Sequence, residues 1–381
     1  MGKGEKMNKK KQYIEEELQK AQKFINSIET DSNLLIIAHS DGDGIISSAI
    51  ITKLLQEKNK ERTNHKFIQS RGKEAEEKIL KQIHKHGSNT IILLDYTPNR
   101  EQTYGKINQQ GAKTLTIDHH PCKEPSEAKE DTEKHTYVNP QKQGTPPAAS
   151  VLCHLLYQQM NGEKNTKPWA IIGAHSDTRI KQSIPLLDLT NEEKELYIPN
   201  GRMNRSLHEI SSVLLAPYLK KELAPRVHKY IKESIEKENP VLIQEEKYGR
   251  TLELYKIKEK AEKQKIKQTK KNPDLEVHEE AKLVTVPIES KLRIKSEIAD
   301  QLRLKYPEYV IAVKMENHEK CLLSLRSSRA DLSKAVPKAC EGINGEGGGH
   351  PHAAGAAINK QHYQEFIKNL KKELKKQRRS K

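Results

Sequence analysis

Residues 34–44 read Leu-Leu-Ile-Ile-Ala-His-Ser-Asp-Gly-Asp-Gly and decide the fold class. The first five residues form a short, wholly apolar run between turn-forming residues, which is typical of a strand buried on both faces of a parallel sheet. The apolar positions from Ile45 to about Gln56 predict a helix directly after the acidic turn. A buried strand that leads through a polar turn into a helix is the repeating unit of α/β folds.

The same alternation of strand and helix continues along the chain. Further strands are predicted at residues 65–69, 90–94 and 114–117, and helices at 73–85, 147–160 and 168–174. A second set has predicted strands at 282–288, 309–315 and 321–325, helices at 292–304 and 332–340, a glycine-rich loop at 342–349 and a last helix from 361 to about 374. In the first set, strands that alternate with helices predict parallel pairing with right-handed crossovers.

The sequence therefore predicts an α/β protein with two folded parts. An N-terminal domain at residues 30–185 carries a parallel sheet with helices on both faces, and a smaller C-terminal α/β domain with a basic tail occupies residues 281–381. A basic helical leader at residues 1–29 and a helical connector or insertion at residues 186–280 complete the prediction.

The charge balance favours a polyanionic partner. The 381 residues include 68 Lys and Arg against 52 Asp and Glu, a formal net charge of +16, and such an excess binds nucleic acid through counterion release. The lysine-rich runs, however, are more typical of solvated surfaces than of substrate contacts. No apolar run approaches the roughly 18 residues of a membrane span, so we expect a cytoplasmic protein with no membrane contact.

Acidic residues and histidines stand where the predicted strands end. They are His39, Asp41 and Asp43, then Asp95, then Asp118, His119 and His120, with a fourth cluster that ends in Asp177. Each residue taken alone is more often a turn former or a helix cap. Because the carboxyl ends of parallel strands share one sheet edge, the clusters should converge, and convergent carboxylates need bound cations. Mixed imidazole and carboxylate ligands suit Mn²⁺ or Fe²⁺ and also accept Zn²⁺ or Mg²⁺.

These motifs resemble those of the DHH phosphoesterases, a family named for the tripeptide seen at Asp118-His119-His120. The other family motifs stand in order, as His39-x-Asp41-x-Asp43-Gly44, Asp95 and the run from Gly173 to Asp177. Residues 347–355, Gly-Gly-Gly-His-Pro-His-Ala-Ala-Gly, resemble the signature of the DHH-associated domain, and residues 324–327 resemble the strand before it. The short first spacing is most similar to that of the archaeal RecJ-like exonucleases.

The resemblance implies a metal centre with two divalent ions. One ion would be held by His39, Asp41 and Asp95, and the other by Asp43, Asp95, His119 and Asp177, with Mn²⁺ preferred and Mg²⁺ or Co²⁺ as alternatives. Asp118 would orient a histidine, and His120 would face the scissile phosphate as a hydrogen-bond or proton donor. Both Asp118 and His120 are therefore candidate catalytic residues.

The resemblance also implies a substrate-binding surface in the C-terminal domain. Its candidate residues are Arg326, Ser327, Gly347, Gly348, Gly349 and His350. Glycines permit close backbone approach and can aim amide groups at a phosphate. The alternative interpretation is a flexible loop with a solvated histidine.

We expect a metal-dependent phosphodiesterase that hydrolyses single-stranded DNA or RNA as an exonuclease, through water activated by two metal ions. One alternative is an enzyme of the same superfamily that acts on short oligoribonucleotides, cyclic dinucleotides or the phosphonucleotide pAp. Another is a scaffold that binds replication-factor partners and keeps residual nuclease activity.

Asn139-Pro140 is compatible with either a substrate-cleft role or a simple turn.

Overall fold

The computed structural model describes most of the chain in two compact units, residues 1–255 and 256–381. The described residues are 3–60, 62–69, 73–98, 102–120, 134–201, 203, 205–214, 216–217, 221–239, 257, 260–261, 263–264, 274–290, 294–317 and 319–379. Most of the lysine-rich stretch at 255–271 lies outside them, as does Cys122. The predicted domain boundaries at residues 30, 186 and 281 stay predictions.

The first unit is built on a five-stranded, wholly parallel sheet with the strand order β2-β1-β3-β4-β5. The strands are β1 Leu34–His39, β2 Thr63–Ile68, β3 Thr90–Leu94, β4 Lys113–Ile117 and β5 His135–Val138. The helices are α1 Lys3–Asn26, α2 Gly42–Glu57, α3 Lys73–His86, α4 Gln102–Gln109, α5 Ala149–Gln159, α6 Lys167–Ser176, α7 Ile180–Ser183, α8 Asn191–Tyr197, α9 Arg205–Val213 and α10 Ala224–Glu236. The sequence missed β5, whose four residues include the polar pair His135 and Thr136.

Helices cover both faces of this sheet, as predicted. Leu35 and Leu93 point to one face, where they form a core with Ile79 and Ile83 of α3 and with residues of α4. The intervening strand residues, such as Ile36, are fully buried on the other face, where α2 packs on β1 and against α5 and α6.

The predicted leader is an integral part of this unit. The residues of α1 that face the protein are buried, including Ile14, Leu18, Phe24 and Ile25, and the helix packs against β5 and α5. Four lysines of this helix, Lys6, Lys9, Lys20 and Lys23, are exposed on its solvated side, as expected of an amphipathic helix.

The second unit is a six-stranded mixed sheet with the order β10-β11-β9-β8-β7-β6. Its strands are β6 Glu276–His278, β7 Leu283–Ile288, β8 Val310–Glu316, β9 Lys320–Arg326, β10 Gly345–His350 and β11 Ala353–Asn359, and its helices are α11 Lys295–Lys305, α12 Leu332–Ala339 and α13 Tyr363–Arg379. Among these described strands, only the β7–β8 pair is parallel. Leu323 and Leu325 pack with Val336 of α12 and Phe366 of α13 in its core.

Two local predictions for this unit are wrong. The glycine-rich stretch is not a loop but the edge strand β10, because Gly345–His350 pairs along its whole length with β11, which the sequence analysis also missed. The last helix does not end near residue 374 but continues to Arg379. Buried Phe366, Leu370 and Leu374 recur at helical spacing, and this packing carries the helix on into the basic tail.

None of the described helices combines the length and apolarity that a membrane crossing requires.

Candidate metal centre

The predicted acidic clusters meet at the carboxyl edge of the parallel sheet. His39 ends β1, Asp95 directly follows β3, and Asp118, His119 and His120 directly follow β4. Asp177 reaches the same place from the C-terminus of α6. Ligand atoms lie within 4.8 Å of one another in three groups: His39 with Asp41 and Asp95, Asp43 with His119 and Asp177, and Asp95 with Asp118, His119 and His120. The first two groups are called the two ligand sets below.

The first set forms around the imidazole of His39. Its Nδ1 atom lies 2.6 Å from Oδ2 of Asp41 and 3.7 Å from Oδ2 of Asp95. Asp41 also caps α2, since its Oδ1 atom accepts a hydrogen bond from the amide of Gly44 at 3.0 Å. Burial opposes ionisation of Asp41, but His39 and the Gly44 amide outweigh it and lower the pKa of this carboxyl.

The second set forms around the imidazole of His119, which is fully buried. Its Nε2 atom lies 3.1 Å from Oδ1 of Asp95, 3.3 Å from Oδ2 of Asp177 and 3.8 Å from Oδ2 of Asp43. The Oδ2 atom of Asp95 thus faces His39 and its Oδ1 atom faces His119. Asp95 therefore lies between the two sets.

Asp43 is held by a helix terminus that the sequence analysis did not identify. Its two oxygens accept hydrogen bonds from the first amides of α5, from Ala149 at 2.8 Å and from Ser150 at 3.0 Å. A helix N-terminus stabilises a carboxylate through its unpaired amides and its dipole. Burial nevertheless dominates and raises the pKa of Asp43 above its usual range.

Asp95 is buried among four other carboxylates. Burial raises the pKa of Asp95 well above its ordinary value, and the charges of Asp41, Asp43, Asp118 and Asp177 raise it further. The backbone of Asp95 is left-handed, with φ of 54°, a conformation that costs energy for a residue other than glycine. Burial, followed by the neighbouring carboxylates and opposed by His119, raises the pKa of Asp177 to about 6.

This donor set fits divalent cations. The cluster holds several carboxylates and three imidazoles. Carboxylates this close together are unfavourable without positive charge, and these are the ligand types that bind transition metals such as Mn²⁺. The structure therefore contains an acidic, metal-binding type of cluster.

Asp118 lies behind the two sets and organises the loop after β4. Its Oδ1 atom accepts hydrogen bonds from the backbone amides of His119 at 2.8 Å and His120 at 3.2 Å, and lies 2.8 Å from Nδ1 of His120. The hydroxyl of Thr97 donates to its Oδ2 atom at 2.7 Å. The side chain of His120 is 21 % exposed, so its ring is accessible from solvent.

Asn139 is a further part of the site whose contribution the sequence left open. It follows β5, and its Nδ2 atom donates to the backbone oxygen of His120 at 2.9 Å and to the hydroxyl of Tyr137 at 3.2 Å. The peptide groups on both sides of His120 are therefore fixed, one by Asp118 and the other by Asn139. The fifth strand, which was not predicted, is what brings Asn139 to this edge.

The predicted substrate-binding residues of the second unit make contacts within their own unit. Arg326 donates from Nε to both carboxylate oxygens of Asp300 at 3.0 Å. The buried hydroxyl of Ser327 accepts from the amides of Arg329 at 3.1 Å and Ala330 at 2.8 Å, as a turn-forming serine does. Their role toward a substrate stays a prediction.

The three glycines of β10 differ in what surrounds them. A Cβ at Gly347 would stand 2.7 Å from Val336 of α12, so close helix packing requires glycine there. Gly349 has φ of +150°, and a Cβ would meet the carbonyl of Ala353 at 2.4 Å. A Cβ at Gly348 would have no atom within 4 Å, which makes Gly348 the open position of the three.

Arg326 and His350 belong to one row of the sheet. Arg326 of β9 pairs with Ala353 of β11, and Ala353 pairs with His350 of β10. Opposite residues of paired antiparallel strands share a face, so Arg326 and His350 stand on the same face about 10 Å apart. The small residue Ala353 lies between Arg326 and His350 in this row.

Comparison with known proteins assigns both units. The N-terminal domain of the DHH family matches residues 33–174, and the DHHA1 domain matches residues 283–376. No curated protein sequence matches the chain.

Solved structures show the same fold. RecJ from Thermus thermophilus, in complex with Mn²⁺, aligns with a TM-score of 0.64 at 13 % identity, over 94 % of this chain and 54 % of RecJ, so the chain spans about half of that protein. An exonuclease RecJ bound to manganese aligns with a TM-score of 0.61 at 15 % identity, over 94 % of each chain. CDC45 from Entamoeba histolytica aligns with a TM-score of 0.51 at 8 % identity, over 93 % of this chain and 97 % of CDC45.

The tripeptide Asp118-His119-His120 directly follows a strand of the parallel sheet and belongs to the acidic cluster. The two matched domains follow each other in the order that the sequence motifs indicate. The chain belongs to the DHH family of phosphoesterases and carries a C-terminal DHHA1 domain.

Proposed function

We propose that the protein is a cytoplasmic, metal-dependent phosphodiesterase that hydrolyses single-stranded DNA or RNA from an end, as a RecJ-like exonuclease. The observation that carries the proposal is the pair of ligand sets that meet at Asp95, whose two carboxylate oxygens face His39 and His119. The net charge of +16 supports a polyanionic substrate.

In this proposal two divalent ions, with Mn²⁺ preferred over Mg²⁺ or Co²⁺, occupy the two sets. His39, Asp41 and Asp95 would hold one ion, and Asp43, Asp95, His119 and Asp177 the other. Bound divalent ions would polarise the phosphoryl oxygens and lower the pKa of a water molecule toward neutrality. Asp95 would be shared, which agrees with its position between the two imidazoles.

The residues behind the ligands handle the proton of the leaving group. Asp118 fixes the backbone amides of His119 and His120 and faces Nδ1 of His120 at 2.8 Å. A carboxylate in this position favours the protonated form of the imidazole. His120 would then donate a proton to the leaving oxygen as the ester bond breaks.

The second unit would supply substrate binding. Arg326 and His350 share one face of its sheet, and Gly348 leaves that surface open to a close approach by a phosphate. Ser327, Gly347 and Gly349 would contribute through the shape of the backbone, since their contacts lie within the unit.

The test is a time course of products from single-stranded DNA and RNA labelled at the 5′ or the 3′ end, with Mn²⁺. We expect nucleotides to be released progressively from one end, and Asp95→Asn to reduce the rate by more than about 100-fold, because even residues that only orient metal ligands are worth 10–100-fold. Asp188→Asn is the matched control, since Asp188 is 79 % exposed and pairs with Lys11.

The outcomes separate the alternatives. Equal rates for Asp95→Asn and the wild type would reject the assigned centre. Cleavage of dinucleotides, cyclic dinucleotides or pAp with no preference for longer strands would favour the small-nucleotide alternative. A protein that binds Mn²⁺ and replication factors but leaves every substrate intact would favour the scaffold.

A further inference from the structure

The last helix, α13, carries its lysines on one side. Lys368, Lys372 and Lys376 are exposed and stand four residues apart, and the half-buried Lys371 and Lys375 flank them. Residues three or four apart on a helix lie on the same side of it, so these five residues form one surface, the lysine face. The side of α13 that packs in the core of the second unit carries Phe366, Leu370 and Leu374.

Carboxylates balance only part of the charge of this face. Residues 366–378 include five lysines and one arginine but a single acid, Glu373. Lys376 pairs with Glu373 at 2.6 Å, and Lys375 pairs with Glu280. The lysines of the face that make no ion pair within the described part of the chain are Lys368, Lys371 and Lys372.

The exposed lysines of the first helix are balanced differently. In α1, Lys9 pairs with Glu5 at 3.5 Å and Lys20 pairs with Glu17 at 2.6 Å. Like charges three or four residues apart repel each other and destabilise a helix. The lysine face keeps this repulsion over more than two turns of α13, which favours neutralisation by an anion from outside the chain.

The lysine face borders a cavity of about 610 Å³. The described residues that line this cavity are Gln364, Ile367 and the five lysines of the face. Lysines that surround one shared space can contact the same ligand, whereas lysines on a convex surface diverge into solvent. The lysine face can therefore bind one extended polyanion through several contacts at once.

The lysine face lies on the other side of the sheet from the predicted substrate-binding residues. Leu325 packs in the core with α13, whereas the next residue, Arg326, pairs with Asp300 of α11. Successive side chains of a strand point to opposite faces of the sheet, and His350 shares the row of Arg326. The lysine face is therefore a separate surface and not an extension of the predicted substrate site.

The lysine face lacks the aromatic side chains that unpaired bases require. The aromatic residues of α13 are Tyr363 and Phe366. Phe366 is fully buried, and the ammonium group of Lys314 lies over the ring of Tyr363, 4.5 Å from its centre. Proteins bind single strands through bases stacked on aromatic rings as well as through the backbone. A surface of lysines alone favours a ligand that offers only its phosphates.

The density of charge on the face favours a duplex over a single strand. At about 1.5 Å per residue, the distance along the helix from Lys368 to Lys376 is about 12 Å. Over about 12 Å a duplex presents about seven phosphate charges, and a single strand presents about half as many. Five lysines within that length match the denser array of phosphates.

We propose that the lysine face of α13 binds the phosphate backbone of double-stranded nucleic acid. Lysine contacts phosphate as a point charge and reads no base sequence, so this binding is independent of sequence and of any metal ion. The inference goes beyond the proposed function, because hydrolysis of a single strand requires no affinity for a duplex. The lysine face would give the protein affinity for the paired region that adjoins a single-stranded substrate.

The test is the affinity for a blunt DNA duplex of about 20 base pairs, measured by fluorescence anisotropy in EDTA between about 50 and 200 mM salt. The variant that combines Lys368→Gln, Lys371→Gln and Lys372→Gln should raise Kd about 10-fold or more at about 100 mM salt. Its plot of log K against log salt should be shallower by about 2 to 3, because each lost phosphate contact removes about 0.9 from the slope. Urea unfolding verifies that the variant is folded.

The matched control combines Lys78→Gln, Lys81→Gln and Lys85→Gln, three exposed lysines of α3 in the first unit. It loses the same charge and should weaken duplex binding by no more than about 2-fold. Equal losses in the two triple variants would overturn the proposal, since the net charge would then explain the binding. A single strand of the same length should lose less affinity than the duplex, and an equal or larger loss would overturn the assignment to a duplex.

A further variant tests the face with the opposite sign. Glu280 is exposed and engages Lys375, so Glu280→Gln should free this lysine and tighten duplex binding about 2-fold. Glu319→Gln removes the same charge from an exposed position between β8 and β9 and should leave the affinity unchanged. Weaker duplex binding by Glu280→Gln would overturn the proposal.

An acidic protein segment is the other polyanion that the charge of the face would accept. Polyglutamate, added as a competitor at the same concentration of charges, should displace the labelled duplex much less than unlabelled duplex does. Equal displacement by the two competitors would overturn the proposal in favour of an acidic protein partner.

Measurement in EDTA keeps this result separate from the proposed function, because binding is then observed without hydrolysis. If the wild type cleaves no substrate with Mn²⁺ but binds the duplex more tightly than the triple variant of α13 does, the exonuclease proposal fails and the lysine face stands. If the wild type and this triple variant bind the duplex equally, the lysine face is rejected whatever the activity.

Discussion

The two units use their polar residues in opposite ways. In the first unit, acids and imidazoles from four separate segments converge in a buried cluster where Asp43, Asp95 and His119 have almost no exposed surface. In the second unit, the candidate residues Arg326 and His350 lie in one row on a sheet face, and Arg326 is engaged by Asp300.

The difference lies in what each kind of binding requires. A metal centre needs several charged groups at fixed short distances, and burying them is so costly that the fold must hold each one with a hydrogen bond. A phosphate-binding face needs backbone access and a few mobile cations, so it tolerates small residues and partners of its own. A change of a single atom in the first unit should therefore strongly reduce its affinity for metal. Substitutions in the second unit should change its affinity for nucleic acid by small factors.

The largest expected effect comes from adding one methyl group at Gly173 of α6. A Cβ there would stand 2.3 Å from Oγ of Ser150 and 3.0 Å from Oδ1 of Asp43, so Gly173→Ala should push the carboxylate of Asp43 away from the amides of α5. We expect the affinity for Mn²⁺ to fall by about 10–100-fold and the free energy of unfolding to fall by about 1–3 kcal/mol.

Gly348→Ala is the corresponding change in the second unit. With no atom within 4 Å of the added Cβ, it should alter the free energy of unfolding by no more than about 0.5 kcal/mol. Calorimetric titration with Mn²⁺ and urea unfolding of both variants measure the contrast. Similar losses in the two variants would remove the distinction between the units.

A smaller effect is expected at Asn139, which fixes the carbonyl of His120 without belonging to either ligand set. Asn139→Ala should lower kcat about 10-fold and leave KM and Mn²⁺ binding unchanged, because a displaced His120 transfers its proton less efficiently. Steady-state kinetics on a labelled single strand provide the measurement. Asn89→Ala, at the opposite end of β3, is the control, and weakened Mn²⁺ binding in Asn139→Ala would contradict the assignment.

The sequence predicted the first unit better than the second for the same physical reason. Apolar runs and the acids that follow them identified β1, β3 and β4 and the residues that meet at their carboxyl ends, because both signals come from side chains at fixed positions in the sequence. The groups that hold these side chains in place could not be predicted. Ala149 and Ser150 bind Asp43 through backbone amides, and Asn139 reaches His120 only because of the unpredicted β5. Four of the six residues of β10 are glycine, so its pairing with β11 could not be distinguished from a loop.

Substitutions at and beside Arg326 should change the affinity of the second unit for single-stranded DNA by small factors. Arg326→Gln should weaken binding of single-stranded DNA about 5-fold, less than the loss expected for an unpaired arginine, because Asp300 already neutralises part of its charge. Asp300→Asn should strengthen binding by a similar or smaller factor. Fluorescence anisotropy at fixed salt measures both, and Lys305→Gln, exposed on the same helix, corrects for the lost charge alone. Opposite signs for the two variants are the expected signature, and a loss of binding in both would contradict it.

The smallest effect concerns one buried histidine pair of the first unit, whose contribution to stability should be lost in mild acid. Its histidines His65 and His228 pack with ring centroids 4.4 Å apart. Burial, followed by the charge of Lys232, lowers the pKa of His65 to about 4, and burial also lowers the pKa of His228. Between these values and about 6.5 the unfolded chain binds more protons than the folded one, so the stabilisation present above pH 6.5 is lost as the pH falls.

For His65 alone the loss between pH 7 and pH 5.5 should be about 1 kcal/mol. Urea unfolding at the two pH values measures it, and hydrogen exchange locates it in β2 and α10, which carry the pair. His65→Gln should remove about that amount of the pH dependence, whereas His362→Gln, in the second unit, should preserve it. If protection in β2 and α10 were unchanged between the two pH values, the buried His65–His228 pair would not be a source of acid sensitivity.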